Sequence, residues 1–362
     1  SLIETHYPNF WAYEDFDLTQ YEKYFLEEMT EQSALRNIPS LSSKVGKLLS
    51  IYIKPKIFEV KEDLEHQDIQ FYKIDEKEIA LSSKSGILEG DAGSGKSSIL
   101  REVGKYAIKQ EEEKRKLPVF IGTLTLIENE YDLKKAINES VLKKLKEDWE
   151  TFIDKYKILI LLDGIDEVES TKQEIVIKQL VKLERDLKFQ FLISTRSAES
   201  RIRDLLGRDI KHYQIQKFDN RQIKAFVTKF FESSSIGEEL IEALNHNRIL
   251  ERLPITPLSI SLIALVFEKD RREIPATISD IYDNFNLLIL GKITAETKFE
   301  LIDFNFRERL LSIYALELLT NDSLLNAGMT KKQFIEFFEK YFKNKSSEVD
   351  SSVLEDFLDY FL

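Results

Sequence analysis

The run Gly90-Asp91-Ala92-Gly93-Ser94-Gly95-Lys96-Ser97 gathers three of the chain's 12 glycines, with a lysine and a hydroxyl at its end. Glycines at these positions let the backbone curl until successive N–H groups point inward, and the positive end of a following helix adds to them. Such a cradle suits a row of phosphates. Lys96 would reach β- and γ-phosphates, and the Ser97 hydroxyl would ligate Mg²⁺. The run matches G-x-x-x-x-G-K-[ST] in full, so residues Gly90, Asp91, Ala92, Gly93, Ser94, Gly95, Lys96, Ser97 and Ser98 are the candidate phosphate contacts. Ser98 stands where a dinucleotide-binding G-x-G-x-x-G needs its third glycine, which excludes that alternative.

A second constellation is Asp163-Gly164-Ile165-Asp166-Glu167, directly after the apolar run Ile158-Leu159-Ile160-Leu161-Leu162. An acid where a buried parallel strand emerges lies at the sheet's carboxyl edge, the edge at which α/β proteins bind ligands. Asp163 is therefore placed to hold Mg²⁺ through water. Asp166 and Glu167 are placed to orient or deprotonate an attacking water. Acids crowding a helix N-terminus explain Asp166 and Glu167 equally well, but not Asp163. Third, Ser194-Thr195-Arg196 ends another apolar run, and a cation there can report on a γ-phosphate. The catalytic candidates are thus Lys96, Asp166, Glu167 and Arg196, and the metal candidates Ser97 and Asp163.

The elements that must position these groups alternate between strand and helix, the pattern of a parallel α/β sheet. Strands are expected at 87–88, 117–121, 157–163, 189–195 and 212–216. Helices are expected at 97–116, 133–149 and 173–187. Ahead of them, residues 21–28 have helical spacing, 51–58 read as an extended edge segment limited by Pro55, and 61–84 read as charged and mobile. After Asp219 the strands stop, and helices are expected at 220–232, 237–245, 257–269, 277–292, 305–319 and 331–343. The expected domains are a helical preface (1–50), a nucleotide-binding domain (51–218), a helical domain (219–293) and a last helical region (294–362).

Composition narrows the function classes. The absence of cysteine removes disulfides, Cys-ligated zinc and thiol nucleophiles, and four scattered histidines (His6, His66, His212, His246) make no multi-His metal centre. A net charge of −12, from 52 bases against 64 acids, argues against a whole-surface nucleic-acid binder. Nucleic acid is accordingly an unexpected partner. No apolar run approaches the ~20 residues of a membrane span. No secretion signal opens the sequence, so cytoplasm is the default location. There is no N-K-x-D guanine-reading motif, no D-x-x-G switch after Asp163 and no LSGGQ-like signature, which disfavours Ras-like GTPases and transporter ATPases.

The phosphate loop, the hhhhDGhDE acid cluster, the S-T-R strand end and the helix Thr256-Pro257-Leu258-Ser259-Ile260-Ser261-Leu262-Ile263-Ala264-Leu265 occur in the order seen in NACHT domains of bacterial-type STAND P-loop NTPases. The segment Ile274-Pro275 to Phe285 resembles their LP…ELY-x-x-F stretch. That resemblance spans about residues 50–320. It implies an ASCE/AAA-like P-loop sheet of strand order 5-1-4-3-2, then an all-helical domain and a partial winged-helix-like region. It implies ATP or ADP with Mg²⁺ as ligands, Pro257 clamping the helical domain onto the nucleotide, and Tyr52 and Ile53 bordering the adenine. Two departures stand out. The family's later F-x-H-x-x-F-x-E-Y-like motif is missing, so the chain reads as a fragment of a longer protein. Gly122-Thr123-Leu124 replaces a P-L-R-like segment after the second strand.

By the same resemblance, the expected activity is a signalling switch. Nucleotide exchange opens the module, which then forms homo-oligomers; ATP hydrolysis is slow and resets it; an unknown sensor ligand and effector lie outside this stretch; and the biological setting is antiviral defence. A fast AAA+-type remodelling ATPase shares the same motifs and is the competing reading. A non-enzymatic scaffold is the third. It would use residues 201–229, where Arg201, Arg203, Arg208, Lys211, Lys217, Arg221, Lys224 and Lys229 face only three acids.

Overall fold

Strand β5 (Ile158–Asp163) is buried along its whole length until Asp163, which is half-buried. An unbroken aliphatic run of this kind is stable only between two layers of helix, as in a parallel sheet. The computed structural model has this architecture and describes residues 18–31, 51–63, 68–145, 148–187, 189–196, 200–207, 209–231, 234–246, 255–269, 277, 279–280, 283, 304–321, 329–344 and 354.

The other strands are β1 (Ile57–Asp63), β2 (Asp68–Ile74), β3 (Gly86–Glu89), β4 (Leu117–Gly122), β6 (Gln190–Thr195) and β7 (Lys211–Ile215). They form one sheet in the order β2-β1-β7-β3-β6-β5-β4. The last five are mutually parallel. Counted along the chain they run 5-1-4-3-2, as the resemblance implies. β3 thus sits at the centre, with β6 on one side and β7 on the other. All four of its residues are buried. β1 pairs antiparallel with both β7 and β2, so a hairpin extends the sheet beyond β7.

The helices of this part are α1 (Leu18–Glu31), α2 (Glu76–Leu81), α3 (Lys96–Ile108), α4 (Thr123–Glu128), α5 (Leu133–Ile137), α6 (Lys143–Leu145), α7 (Trp149–Lys155), α8 (Ser170–Leu187) and α9 (Ser200–Leu206). α3 lies across the sheet, burying Ile99, Leu100, Val103, Ala107 and Ile108 at helical spacing. Its Gly104 makes room for α1. A Cβ there would stand 2.4 Å from the Phe25 ring and 2.8 Å from Leu161 Cδ1. Tyr21 of α1 donates its hydroxyl to Pro118 O at 2.7 Å, tying the same helix to β4.

Three expectations need correction. The segment 61–84 is not mobile throughout: it contains β2 and α2. β2 eludes pattern reading because Ile69, Phe71 and Tyr72 are all exposed, so no alternation of buried and solvent-facing residues marks it. α2 starts with a capping box, Asp75 accepting from Glu78 N and Glu78 from Asp75 N, both at 2.9 Å. The phosphate-loop helix ends at Ile108, not 116, since the charged stretch beyond has no apolar face to bury. The helix expected at 133–149 is broken by a π turn over Asn138–Leu142, and a new helix starts after Asp148, whose carboxylate caps Thr151 N at 3.0 Å.

By compactness the chain divides into residues 1–31 with 55–217, and residues 32–54 with 218–362. After residue 217 the described residues contain helices and no strand: α10 (Asn220–Phe230), α11 (Ser234–His246), α12 (Pro257–Lys269), α13 (Phe304–Thr320) and α14 (Lys331–Asn344). A second capping box, Asp219 with Gln222, opens α10, and Ile223, Phe226, Val227 and Phe230 form its buried stripe. α10, α11 and α12 share one core. Phe334, Phe338 and Phe342 of α14 form another with Leu310 of α13. The helix expected at 277–292 lies almost wholly outside the described residues. No described helix is long and apolar enough to cross a membrane.

Replacing Gly104 by Ala is expected to lower stability by about 1–3 kcal/mol through overpacking against Phe25 and Leu161. This holds although Ala is the better helix former by about 1 kcal/mol. Urea denaturation of the variant checks it.

Candidate functional site

The phosphate loop begins where β3 ends. Gly90 N donates to Thr195 O at 3.2 Å, continuing the β3–β6 pairing one residue past the strand. The loop then turns on Gly93 and Gly95, at φ 71° and 91°, values that residues with a Cβ rarely adopt. Gly90 is required for another reason: a Cβ there would lie 2.5 Å from Ser94 Oγ and 2.9 Å from Ile215 Cδ1. α3 starts at Lys96 with no side-chain cap, so its first N–H groups face the loop. Ser94 Oγ is buried without a hydrogen-bond partner. These are the properties of an anion cradle.

The acids lie at the same edge of the sheet. Asp163 Oδ1 accepts from Ser194 Oγ at 2.6 Å, and that hydroxyl accepts from Gly164 N at 2.9 Å. Ser194 is fully buried, so it fixes the Asp163 carboxylate from the neighbouring strand. A 3₁₀ turn over Ile165–Glu167 then brings Asp166 and Glu167 back toward the strand ends. Arg196 N donates to Asp166 Oδ1 at 3.1 Å, and its guanidinium lies 3.2 Å from Asp166 Oδ2 and 3.9 Å from Glu167 Oε1. The expected γ-phosphate reporter is therefore engaged with the acidic pair. Its side chain is 61% exposed, so the ion pair itself is worth at most about 1 kcal/mol and can be exchanged for another anion.

Lys96 ties these groups together. Its Nζ donates to Gly90 O at 2.7 Å and Asp91 O at 3.1 Å, across its own loop. Burial lowers its pKa, opposed chiefly by the field of Asp166, with Asp163 and Glu167 also acting on it. Lys96, Asp163, Asp166, Glu167 and Arg196 thus form one electrostatic cluster. Ser97, next to Lys96, is half-buried at the start of α3. Among the described residues no group of three or more carboxylates or imidazoles is arranged to hold a metal ion by itself. The donors on offer are one hydroxyl and one carboxylate. That hard-oxygen pair fits Mg²⁺, which takes few protein ligands and completes its shell from phosphate and water.

Several participants carry no motif. Thr123 Oγ1 lies 3.1 Å from Glu167 Oε2 and 3.2 Å from Gly164 O, which gives the loop after β4 a place beside the acids. Glu89, immediately before the phosphate loop, has Arg203 Nη2 at 3.2 Å from one carboxylate oxygen and His212 Nε2 at 2.6 Å from the other. Arg101 of α3 is buried at Nε. A buried Glu in the short strand Ile87-Leu88-Glu89 was the available signal for its network; nothing in the spacing marks Ser194 or Arg101.

Tyr52, Ile53 and Pro257 belong to the second unit. Lys229 Nζ donates to Tyr52 O at 3.1 Å and Gln222 Nε2 to Lys54 O at 2.8 Å, fastening that segment to α10. Ile53 packs on the core shared by α10, α11 and α12. Pro257 is the first residue of α12, after a Thr256 cap that accepts from Ser259 N at 3.2 Å.

Residues 85–234 match the family model of the NACHT domain, and the sheet and glycine loop of this stretch have the P-loop NTPase fold. No curated protein matches the chain. Among solved structures it resembles domain III of the Thermotoga maritima replication initiation protein DnaA, at 16% identity and TM-score 0.35, covering 61% of this chain and 90% of that one. It resembles the Aeropyrum pernix ORC1 protein in complex with DNA, at 12% identity and TM-score 0.39, covering 76% of each. A third is the replication initiator DnaA bound to AMPPCP and single-stranded DNA, at 13% identity and TM-score 0.36, covering 78% and 91%. The strand order and the loop, not these distant likenesses, carry the fold.

Ser194→Ala strands the Gly164 N–H and removes the donor to Asp163. Unfolding free energy is expected to fall by about 1–3 kcal/mol, read by denaturant titration; no change would mean that the bridge is not made.

Proposed function

We propose that this NACHT domain and the helices after it form an ATP/ADP-driven signalling switch with slow, Mg²⁺-dependent ATP hydrolysis. The observation that carries this reading is the gathering of Lys96, Asp163, Asp166, Glu167 and Arg196 around one glycine loop at the carboxyl edge of a parallel sheet. Backbone amides of Gly90 to Ser98 hold the phosphates. Lys96 leaves its own carbonyls for the β- and γ-phosphate oxygens. Ser97 and Asp163 would hold Mg²⁺, which would neutralise phosphate charge. Glu167, with Asp166 beside it, takes a proton from the water whose oxygen attacks the γ-phosphorus. The bond to the β-phosphate oxygen breaks, leaving ADP and inorganic phosphate.

Slow turnover is supported by the way the acids are occupied. Glu167 is held by Thr123 on one oxygen and approached by Arg196 near the other. A γ-phosphate has to compete Arg196 away before that base is free. Nucleotide exchange, opening and homo-oligomerisation then follow the family pattern. Antiviral defence in the cytoplasm, under an unidentified sensor and effector, is the setting we assign.

The scaffold alternative loses support because four of its eight bases have partners within the chain. Arg203 faces Glu89, Lys211 pairs with Glu59, Lys217 lies 3.7 Å from Asp91, and Lys229 holds Tyr52.

Calorimetric titration with ADP and ATP tests the site. Lys96→Ala is expected to weaken binding about 10–100-fold, the worth of hydrogen bonds to a charged group. Equal affinity in both proteins would refute the assignment. Rapid hydrolysis by a constitutive ring would point instead to a remodelling ATPase.

A further inference from the structure

The edge of the sheet opposite the phosphate loop, where the parallel strands begin, holds a small cavity. It is lined by Lys116, just before β4, by Gly86 of β3, Gln190 of β6 and Tyr213 of β7, and by Ser82 and Lys84 after α2. Its volume of about 10 Å³ admits one particle the size of a water molecule. Tyr213 is 1% exposed, and its hydroxyl is buried without a hydrogen-bond partner. The ring reaches this edge because Gly86 has no Cβ; one there would stand 2.7 Å from Tyr213 Cε2. Burial pushes the phenol up to about 12, opposed by the Ser82 hydroxyl nearby. That hydroxyl is engaged elsewhere, accepting from Lys84 N and donating to Lys84 O, both at 3.1 Å.

Lys116 brings a charge to the same place. Its Nζ donates to Ala80 O at 2.8 Å and to Ser82 O at 2.5 Å, at the end of α2. Those bonds use two of the three donors of an ammonium. Ser82 O also accepts from Gln190 Nε2 at 3.3 Å, so the carbonyls here are taken. Among the described residues no carboxylate lines the cavity, and none pairs with Lys116. Burial, and after it the charge of Lys157, lowers the Lys116 pKa to about 8. A part-buried cation in this position gains from any counter-charge that can reach it. Two donors are left over, the Tyr213 O–H and the third Lys116 N–H.

We propose that this cavity is a halide site, with the Tyr213 hydroxyl and the Lys116 ammonium as its donors. A water molecule would accept from both groups but leave the ammonium uncompensated. A monatomic anion accepts from both and neutralises the charge as well, and charge-assisted hydrogen bonds are the stronger kind. Polyatomic anions exceed the space. The bound ion would fasten β7 to the turn after α2 and to the start of β4. The site is independent of the nucleotide reading, because it lies at the other end of the strands.

The test is thermal unfolding of the whole chain in sodium chloride, sodium bromide and sodium gluconate at equal ionic strength. Wild type is expected to melt about 2–4 °C higher in either halide than in gluconate, with an effect that saturates as halide is raised. Tyr213→Phe, which deletes only the orphaned hydroxyl, is expected to lose most of that increment, and Lys116→Met all of it. A wild type indifferent to the salt, or a Tyr213→Phe chain that keeps the full increment, would overturn the proposal. Crystals of the wild type grown in bromide give a direct readout that needs no variant. An anomalous-scattering peak between Tyr213 Oη and Lys116 Nζ is the expected result, and a water without anomalous signal at that point would refute it.

Discussion

The burial of β3, β5 and β6 on both faces is the constraint on which everything else depends. A strand with one solvent face has some tolerance for register; a strand packed between helices on both sides has almost none. With registers locked, the strand ends are locked as well. Gly90 follows β3, Asp163 ends β5 and Arg196 follows β6, so three positions far apart in sequence meet at one edge. The hydrogen bonds from Gly90 N to Thr195 O and from Ser194 to Asp163 are local consequences of that parallel alignment.

At that edge the chain concentrates opposite charges that lie against one another. Lys96 bends back on its loop, and Arg196 lies on Asp166. Each of these cations is part-way to a phosphate. A nucleotide entering here exchanges existing contacts rather than filling a bare pocket. Under the proposed function, small differences between di- and triphosphate would shift which contacts persist, as a switch requires.

How much of this was legible in the sequence follows from what each residue does. The phosphate loop was legible because only glycines tolerate its turns, and Asp163 because an acid after five aliphatic residues has one sensible location. The order of the five parallel strands came through the resemblance and agrees with the sheet. β2 was illegible because its side chains are exposed on both sides, and the π break at Asn138–Leu142 because helical periodicity runs through it undisturbed. Ser194 was illegible for another reason. Its significance lies in a contact across strands, which spacing along one chain does not record.

The central claim is that this edge of the sheet is a nucleotide site. Native mass spectrometry of the chain with ADP or ATP added measures it directly. One nucleotide per chain, with ADP surviving dilution longer than ATP, is the result the account predicts. A chain that carries no nucleotide under conditions that keep it folded would contradict it.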